Sequence, residues 1–204
     1  MGRSRTASQD TEISELLSRM AYVAELKEWD NRSHLGRIRS SCLLLAVQLG
    51  IPRAESEVIA SASMLHDVGK ILTPIELLKR IGNYEDQEWK IIEKHTIDGA
   101  YILGNSSILE VQTGAAIAEA HHERWDGSGY PYHRKGEEIP LAARICAVAD
   151  VFDALTTSRP YKQAVEPEDA RKLIVNSSDV LFDPKVVTAF TTIFDQLIKI
   201  KQTP

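Results

Sequence analysis

Apolar residues recur at helical spacing along nearly the whole chain, and the alternation typical of β-strands is weak throughout. Asp10 and Asn83 precede two of the periodic segments, and we expect them to act as helix N-caps. Gly50 and Pro52 end a third segment. The pattern predicts helices over residues 13–24, 35–49, 58–66, 84–95, 115–120, 140–157 and 184–200. We therefore expect an all-α fold, a helical bundle with its functional site between the helices.

Histidines and carboxylates stand where several apolar segments end. His66-Asp67 lies in the run MLHDVGK, the stretch HHERWDGSGYP occupies residues 121–131, and Asp150 lies in ICAVADVF. An ionised carboxylate in such apolar surroundings is costly unless it is paired or bound to a metal ion. Imidazole and carboxylate groups are suitable ligands for hard or borderline divalent metals. The pattern therefore favours a site for two metal ions.

Two further histidines support the same interpretation. His34 and His95 lie on separate amphipathic helices, and Asp30 shares a helical face with His34 because it precedes it by four residues. Taken alone, any His-Asp pair is more commonly a buried histidine satisfied by a backbone carbonyl. Chance is a poor explanation for five such histidines, since only His133 falls outside the set. A two-metal site provides hydroxide at neutral pH and binds phosphate esters.

Composition and charge narrow the class of protein. The chain has 204 residues, of which 43% are hydrophobic and 26% charged, as expected of one globular domain with an additional helix or two. No apolar run is long enough to cross a membrane, so we expect a cytoplasmic protein with Cys42 and Cys146 as buried, reduced thiols. The net charge of −5 argues against binding to a DNA or RNA duplex.

The order of these motifs resembles the HD-GYP family, the branch of the HD-domain phosphohydrolases known for cleaving bacterial cyclic di-GMP. The likeness runs from about residue 30 to about residue 190, and it includes EEIPLAARICAVADVFDALTTSRPYK and FDPKVV. The resemblance implies an HD-domain helical bundle with a metal site between its helices. It places an N-terminal tail and helix over residues 1–29 and the phosphohydrolase domain over residues 30–204.

The resemblance also implies roles for individual residues. Lys70 corresponds to the lysine that faces the scissile phosphate, and Asp67, as the bridge between two ions, is the other expected catalytic residue. The expected metal is iron or manganese, and its expected ligands are His34, His66, Asp67, His95, His121, His122 and Asp150. The expected contacts to a cyclic dinucleotide substrate are Lys70, Tyr130, Asp153, Arg159 and Lys162.

One departure from the family's pattern concerns a third ion. Asp30 stands where many members have a glutamate that helps hold this ion, and the shorter side chain predicts that the ion, if bound, is held weakly. Two alternatives to cyclic di-GMP cleavage stay open: hydrolysis of another cyclic dinucleotide such as cyclic GMP-AMP, and binding of a nucleotide or a partner without turnover. A homodimer or a signalling-protein partner is also compatible with the resemblance.

Overall fold

The computed structural model describes residues 7–27, 32–158 and 163–202, which form helices and connecting turns with no strand beyond one isolated bridge. This confirms the predicted all-α class. Two short 3-10 segments, Val68–Leu72 and Gly136–Glu138, lie between helices. In chain order the α-helices are α1 (Ala7–Glu25), α2 (Arg32–Gln48), α3 (Arg53–Ser63), α4 (Ile75–Leu78), α5 (Asp86–Glu93), α6 (His95–Leu103), α7 (Leu109–Ala120), α8 (Leu141–Thr156), α9 (Pro167–Asn176), α10 (Pro184–Thr192) and α11 (Phe194–Gln202).

Both predicted N-caps were wrong. Asp10 lies inside α1, which begins at Ala7. Helix α5 begins after Glu85 rather than Asn83, and the Glu85 backbone amide donates to the Glu88 carboxylate at 3.0 Å. This local bond sets the start of the helix two residues later than the periodicity suggested.

Two further boundaries differ from the predicted ones. His95 begins α6 instead of ending α5, and the predicted helix over 184–200 is divided into α10 and α11 at Ile193. Helix α9 was not predicted, although Pro167 at its first turn, followed by Glu168 and Asp169, is a recognised start signal.

The apolar side chains form two main clusters. The larger one joins α2 and α8 to the three C-terminal helices around Phe152, Phe190 and Phe194, whose rings meet edge to face at 5.3–5.8 Å. The smaller one joins α1 to the end of α3 and the 3-10 segment that follows it. Leu65 of the smaller cluster directly precedes His66, and Ala149 of the larger directly precedes Asp150. Packing of both clusters therefore fixes the polar groups between them.

Helix α1 is part of the packed structure, although it lies before the predicted domain start at residue 30. Its residues Leu17, Ala21 and Ala24 are buried in the smaller cluster. The boundary at residue 30 stays a prediction, but α1 and the helices after residue 30 share a core. Within the described residues no helix is long and apolar enough to cross a membrane. Cys42 and Cys146 are buried free thiols, as expected.

Candidate metal centre

Three buried histidines present one ring nitrogen each to a common space. The Nδ1 atoms bond backbone carbonyls of their own chain segment: His66 to Ser63 at 2.9 Å, His95 to Ile92 at 2.6 Å, and His121 to Ile117 at 3.0 Å. A carbonyl can only accept, so each Nδ1 donates its proton there and each Nε2 is left to face the common space. Among the described residues, these three Nε2 atoms are buried without a hydrogen-bond partner.

Asp67 lies at the centre of the cluster. Its Oδ1 is 3.4 Å from His95 Nε2 and 3.6 Å from His121 Nε2, while its Oδ2 is 3.2 Å from His66 Nε2 and 2.7 Å from Lys70 Nζ. Burial alone would raise the pKa of this carboxyl, yet the Lys70 ammonium and His66 hold it well below its usual value. Asp67 is therefore ionised and faces ring nitrogens on both sides, as a bridging ligand would.

Four side chains around Asp67 form what we call the first ligand group. Asp67, His95, His121 and His122 each offer a ligand atom, and these atoms all lie within 4.8 Å of one another. Burial lowers the pKa of His95 to about 4 and, together with the neighbouring His121, lowers that of His122 well below its usual value. Neutral imidazole is the form that binds a metal. Unpartnered nitrogens beside an ionised carboxylate fit a divalent cation.

Three other side chains form a second ligand group. Glu25, His34 and His66 also offer atoms within 4.8 Å of one another. Asp150 adjoins this group, since its Oδ1 is 3.8 Å from His34 Nε2 and 3.9 Å from His66 Nε2. Burial opposes the charged form of His66, but the carboxylates of Asp67 and Asp150 raise its pKa to about 10. The surplus of carboxylate charge in this space is another feature that a cation would satisfy.

All of the predicted ligands within the described residues meet here: His34, His66, Asp67, His95, His121, His122 and Asp150. Asp30 lies outside the described residues. Glu25 was missed by sequence reasoning, because it stands on α1 in no motif. Its burial and, after that, the nearby charge of Asp67 raise the pKa of its carboxyl.

Two glycines allow the backbone to bring these ligands together. A Cβ on Gly69 would lie 1.9 Å from the carbonyl oxygen of His95, so only glycine lets the segment after Asp67 touch the start of α6. A Cβ on Gly129 would lie 2.3 Å from the amide nitrogen of Arg124. Replacing either glycine would push ligand-bearing segments apart.

Tyr130 follows Gly129 and covers the first ligand group. Its backbone amide donates to the carbonyl of His122 at 3.2 Å, and its ring stacks on the His122 ring with centroids 4.8 Å apart. Burial raises the pKa of its hydroxyl. The buried Glu123 holds the next part of this loop, since its carboxylate accepts from the amides of Tyr132 and Arg134 at 2.8 and 3.1 Å. Glu123, next to the two histidines, carried no recognisable signal in the sequence.

The expected substrate contacts occupy different positions. Lys70 reaches the centre beside Asp67, as expected. Asp153 instead lies behind His34: its carboxylate is 2.8 Å from His34 Nδ1, 2.6 Å from Arg37 Nε and 2.9 Å from Lys201 Nζ. With only 4% of its surface exposed, it is placed to orient His34 rather than to touch a substrate. Arg159 and Lys162 lie outside the described residues.

Comparison with known proteins identifies the family. The HD domain matches residues 7–186. The chain is 38% identical to a 3'3'-cGAMP-specific phosphodiesterase of Vibrio cholerae, covering 92% of this chain and 36% of that protein. It is 42% identical to RpfG, a cyclic di-GMP phosphodiesterase response regulator of Xanthomonas campestris, covering 86% of this chain and 46% of that protein. The chain thus spans less than half the length of these relatives.

Solved structures show the same fold. A cyclic GMP-AMP-specific phosphodiesterase of Vibrio cholerae superimposes with a TM-score of 0.66 at 24% identity, over 94% of this chain and 53% of that one. An HDGYP protein from Bdellovibrio bacteriovorus gives a TM-score of 0.63 at 21% identity, over 79% of this chain and 51% of its own. The matched family, the similar relatives and the order of the motifs agree. This chain therefore belongs to the HD-GYP branch of the HD-domain family.

Proposed function

We propose that this chain hydrolyses a phosphodiester bond of cyclic di-GMP in a metal-dependent reaction. The observation that carries the proposal is the convergence of three buried, unpartnered Nε2 atoms on the ionised carboxylate of Asp67. The names of two relatives, RpfG and the cyclic di-GMP phosphodiesterase of Thermotoga maritima, support the substrate. The latter is 38% identical over 87% of this chain.

The first ligand group would hold one divalent ion and the side chains around His66 and Asp150 another, with Asp67 between them. Imidazole and carboxylate donors suit iron or manganese. When bound, such ions lower the pKa of a coordinated water and neutralise the phosphate oxygens. The backbone-bonded imidazoles are fixed in orientation before metal binds, so little rearrangement is needed.

Lys70 would stabilise charge on the phosphate in the transition state. Its ammonium lies 2.7 Å from Asp67 Oδ2, and its side chain is 20% exposed. It can therefore meet a substrate from solvent while it stays next to the expected ions. A fixed cation in this position acts most strongly where negative charge develops.

A row of aromatic rings leads from the first ligand group towards solvent and supports a nucleotide substrate. Tyr130 stacks on His122, Trp89 meets the Tyr130 ring at 6.3 Å, and Tyr84 meets Trp89 at 5.9 Å. Trp89 is 44% exposed, which leaves a surface on which a purine could stack. Arg159 and Lys162 complete the proposed contacts by binding the second phosphate or a guanine edge.

Cyclic GMP-AMP is the second candidate substrate, because a relative named for that specificity matches 92% of this chain. Both molecules contain the 3'–5' phosphodiester that the same metal centre would cleave. A homodimer, a signalling partner and a cytoplasmic location stay predictions.

The test is a cleavage assay on protein purified without oxygen, with its metal content measured in the same sample. Cyclic di-GMP, 3'3'-cyclic GMP-AMP and cyclic di-AMP would be compared by chromatography of the products. We expect the highest kcat/KM for cyclic di-GMP, with a linear dinucleotide as the first product. A higher kcat/KM for cyclic GMP-AMP would establish the second candidate instead. A fully metal-loaded chain that cleaves none of the three would refute both and leave a binding module.

A further inference from the structure

Glu25 is a buried acid that none of the motifs explains. It is the last residue of α1 and only 9% of its surface is exposed. Its carboxylate lies close enough to Asp67, His34 and Lys70 to interact with their charges. A buried carboxylate is costly to keep in a fold unless it is paired or a cation binds it.

The surroundings of Glu25 have the composition of a metal site. A carboxylate oxygen of Glu25 and ring nitrogens of His34 and His66 lie within 4.8 Å of one another. Since Asp153 occupies Nδ1 of His34 and the Ser63 carbonyl occupies Nδ1 of His66, both rings turn Nε2 towards this space. His66 Nε2 is buried without a hydrogen-bond partner among the described residues. Asp150 Oδ1 lies within 4 Å of both Nε2 atoms and adds a second carboxylate.

The fold holds Glu25 in this position from two sides. Leu17, Ala21 and Ala24 anchor α1 in the smaller apolar cluster. After the helix, Lys27 Nζ donates to the carbonyl oxygens of Ile71 and Thr73, each at 2.6 Å. These bonds tie the end of α1 to the end of the 3-10 segment that follows Asp67, so the Glu25 side chain is fixed next to the ligand-bearing segment.

We propose that Glu25 is a metal ligand and that it completes, with His34, His66 and the adjoining Asp150, the site of the ion in the second ligand group. The inference rests on the metal centre of the proposed function, and it extends that centre to a carboxylate from the N-terminal helix. It also makes α1 a functional part of the catalytic unit.

The test compares metal content in matched variants. Glu25→Gln keeps the size of the side chain but replaces the carboxylate with an amide that is a weaker ligand. Wild type, Glu25→Gln, Asp30→Asn and His34→Ala would be purified without oxygen, dialysed against a mild chelator and analysed for metal per chain. Glu15→Gln, an exposed glutamate on the same helix that pairs with Arg19, is the control. Manganese titration of the metal-free proteins would give the affinities.

We expect Glu25→Gln and His34→Ala each to lose one ion per chain relative to wild type, or to bind it about 10-fold or more weakly, as happens when support of a metal site is removed. Asp30→Asn and Glu15→Gln should keep the wild-type count. Wild-type count and affinity in Glu25→Gln would overturn the proposal, as would loss of the ion in Asp30→Asn alone. Circular dichroism of the metal-free variants separates ligand loss from misfolding. If Glu25→Gln is unfolded, Glu25→Ala replaces it, and unchanged metal affinity in Glu25→Ala would likewise overturn the proposal.

This outcome is independent of the substrate. If the wild-type chain holds the ion of the second ligand group through Glu25 but cleaves no cyclic dinucleotide, the proposed function fails and the metal assignment stands. If the chain cleaves cyclic di-GMP while Glu25→Gln keeps all its metal, only the assignment of Glu25 fails.

Discussion

The first ligand group and the second differ in what holds their histidines in place. In the first, His95 and His121 each bond a backbone carbonyl three or four residues earlier in the chain. In the second, His66 is held in the same local way by the Ser63 carbonyl, but His34 bonds the carboxylate of Asp153, which lies 119 residues further along the chain. Local geometry therefore orients the histidines that bond backbone carbonyls, whereas the orientation of His34 depends on the correct packing of α2 against α8.

This difference predicts different sensitivities to substitution. Local bonds form as soon as the helix ends form, so the first group should tolerate changes elsewhere in the bundle. The long-range bond of His34 is part of a charged network in which Asp153 also pairs with Arg37 and Lys201, so removal of the Asp153 charge takes the carboxylate partner from both cations. Mutations can test whether the two groups respond separately.

The largest expected effect comes from Asp67, because it adjoins both groups. Asp67→Ala should strip metal from both, and turnover should fall by about 10³-fold or more, since the Lewis acids contribute several kcal/mol. Metal analysis and the cyclic di-GMP assay measure this. Asp169→Ala, which removes an exposed carboxylate paired with Lys172, is the control and should change neither. Retention of metal in one group would show that Asp67 does not join them.

Lys70→Met should reduce kcat without changing either group's metal. The lost ammonium contact is expected to cost about 2.7–4 kcal/mol of transition-state stabilisation, which is about 10²–10³-fold in kcat. Metal content measured on the same sample should equal that of wild type. Lys94→Met, which removes a largely exposed ammonium paired with Asp98, should have normal turnover. Metal loss in Lys70→Met that parallels its loss of turnover would mean that Lys70 stabilises the metal site.

Asp153→Asn should affect the second group alone. The change weakens the support of His34, and loss of such an outer contact typically lowers metal affinity by about 10–100-fold. The ion of the first group should be unaffected in a metal titration. Lys201→Met is the matched variant, because it removes a charge from the network but leaves the bond from Asp153 to His34 in place. Equal metal loss in both variants would indicate a general effect of the network on folding.

The smallest expected effect is at Trp89, which lies beyond the first group and binds no metal. Trp89→Ala should raise KM for cyclic di-GMP by about fivefold, the low end of the roughly 1–3 kcal/mol that stacking of a base contributes. Trp89→Phe should recover most of this affinity. A small chromogenic phosphodiester has no base, so its hydrolysis should be unchanged. An equal decline with both substrates would exclude stacking as the role of Trp89.

The sequence by itself determined the fold class and most of the metal centre. Helical periodicity was sufficient for an all-α prediction, since each helix must bury one apolar face. The ligands from His34 to Asp150 could be recognised because histidines and aspartates rarely follow strongly apolar segments without a partner. Tyr130 and Lys70 were implied by the resemblance to the HD-GYP family, and the structure places both next to these ligands.

Only the tertiary structure decided which side chains meet across long separations. Asp153 was predicted to touch the substrate, but packing of α2 against α8 places it behind His34. Glu25 belongs to no motif and reaches the centre because the apolar face of α1 packs beside the segment that carries Asp67. Helical spacing reports which residues share a face of one helix, but it contains no information on which helices pack together, and the burial of the apolar clusters settles that.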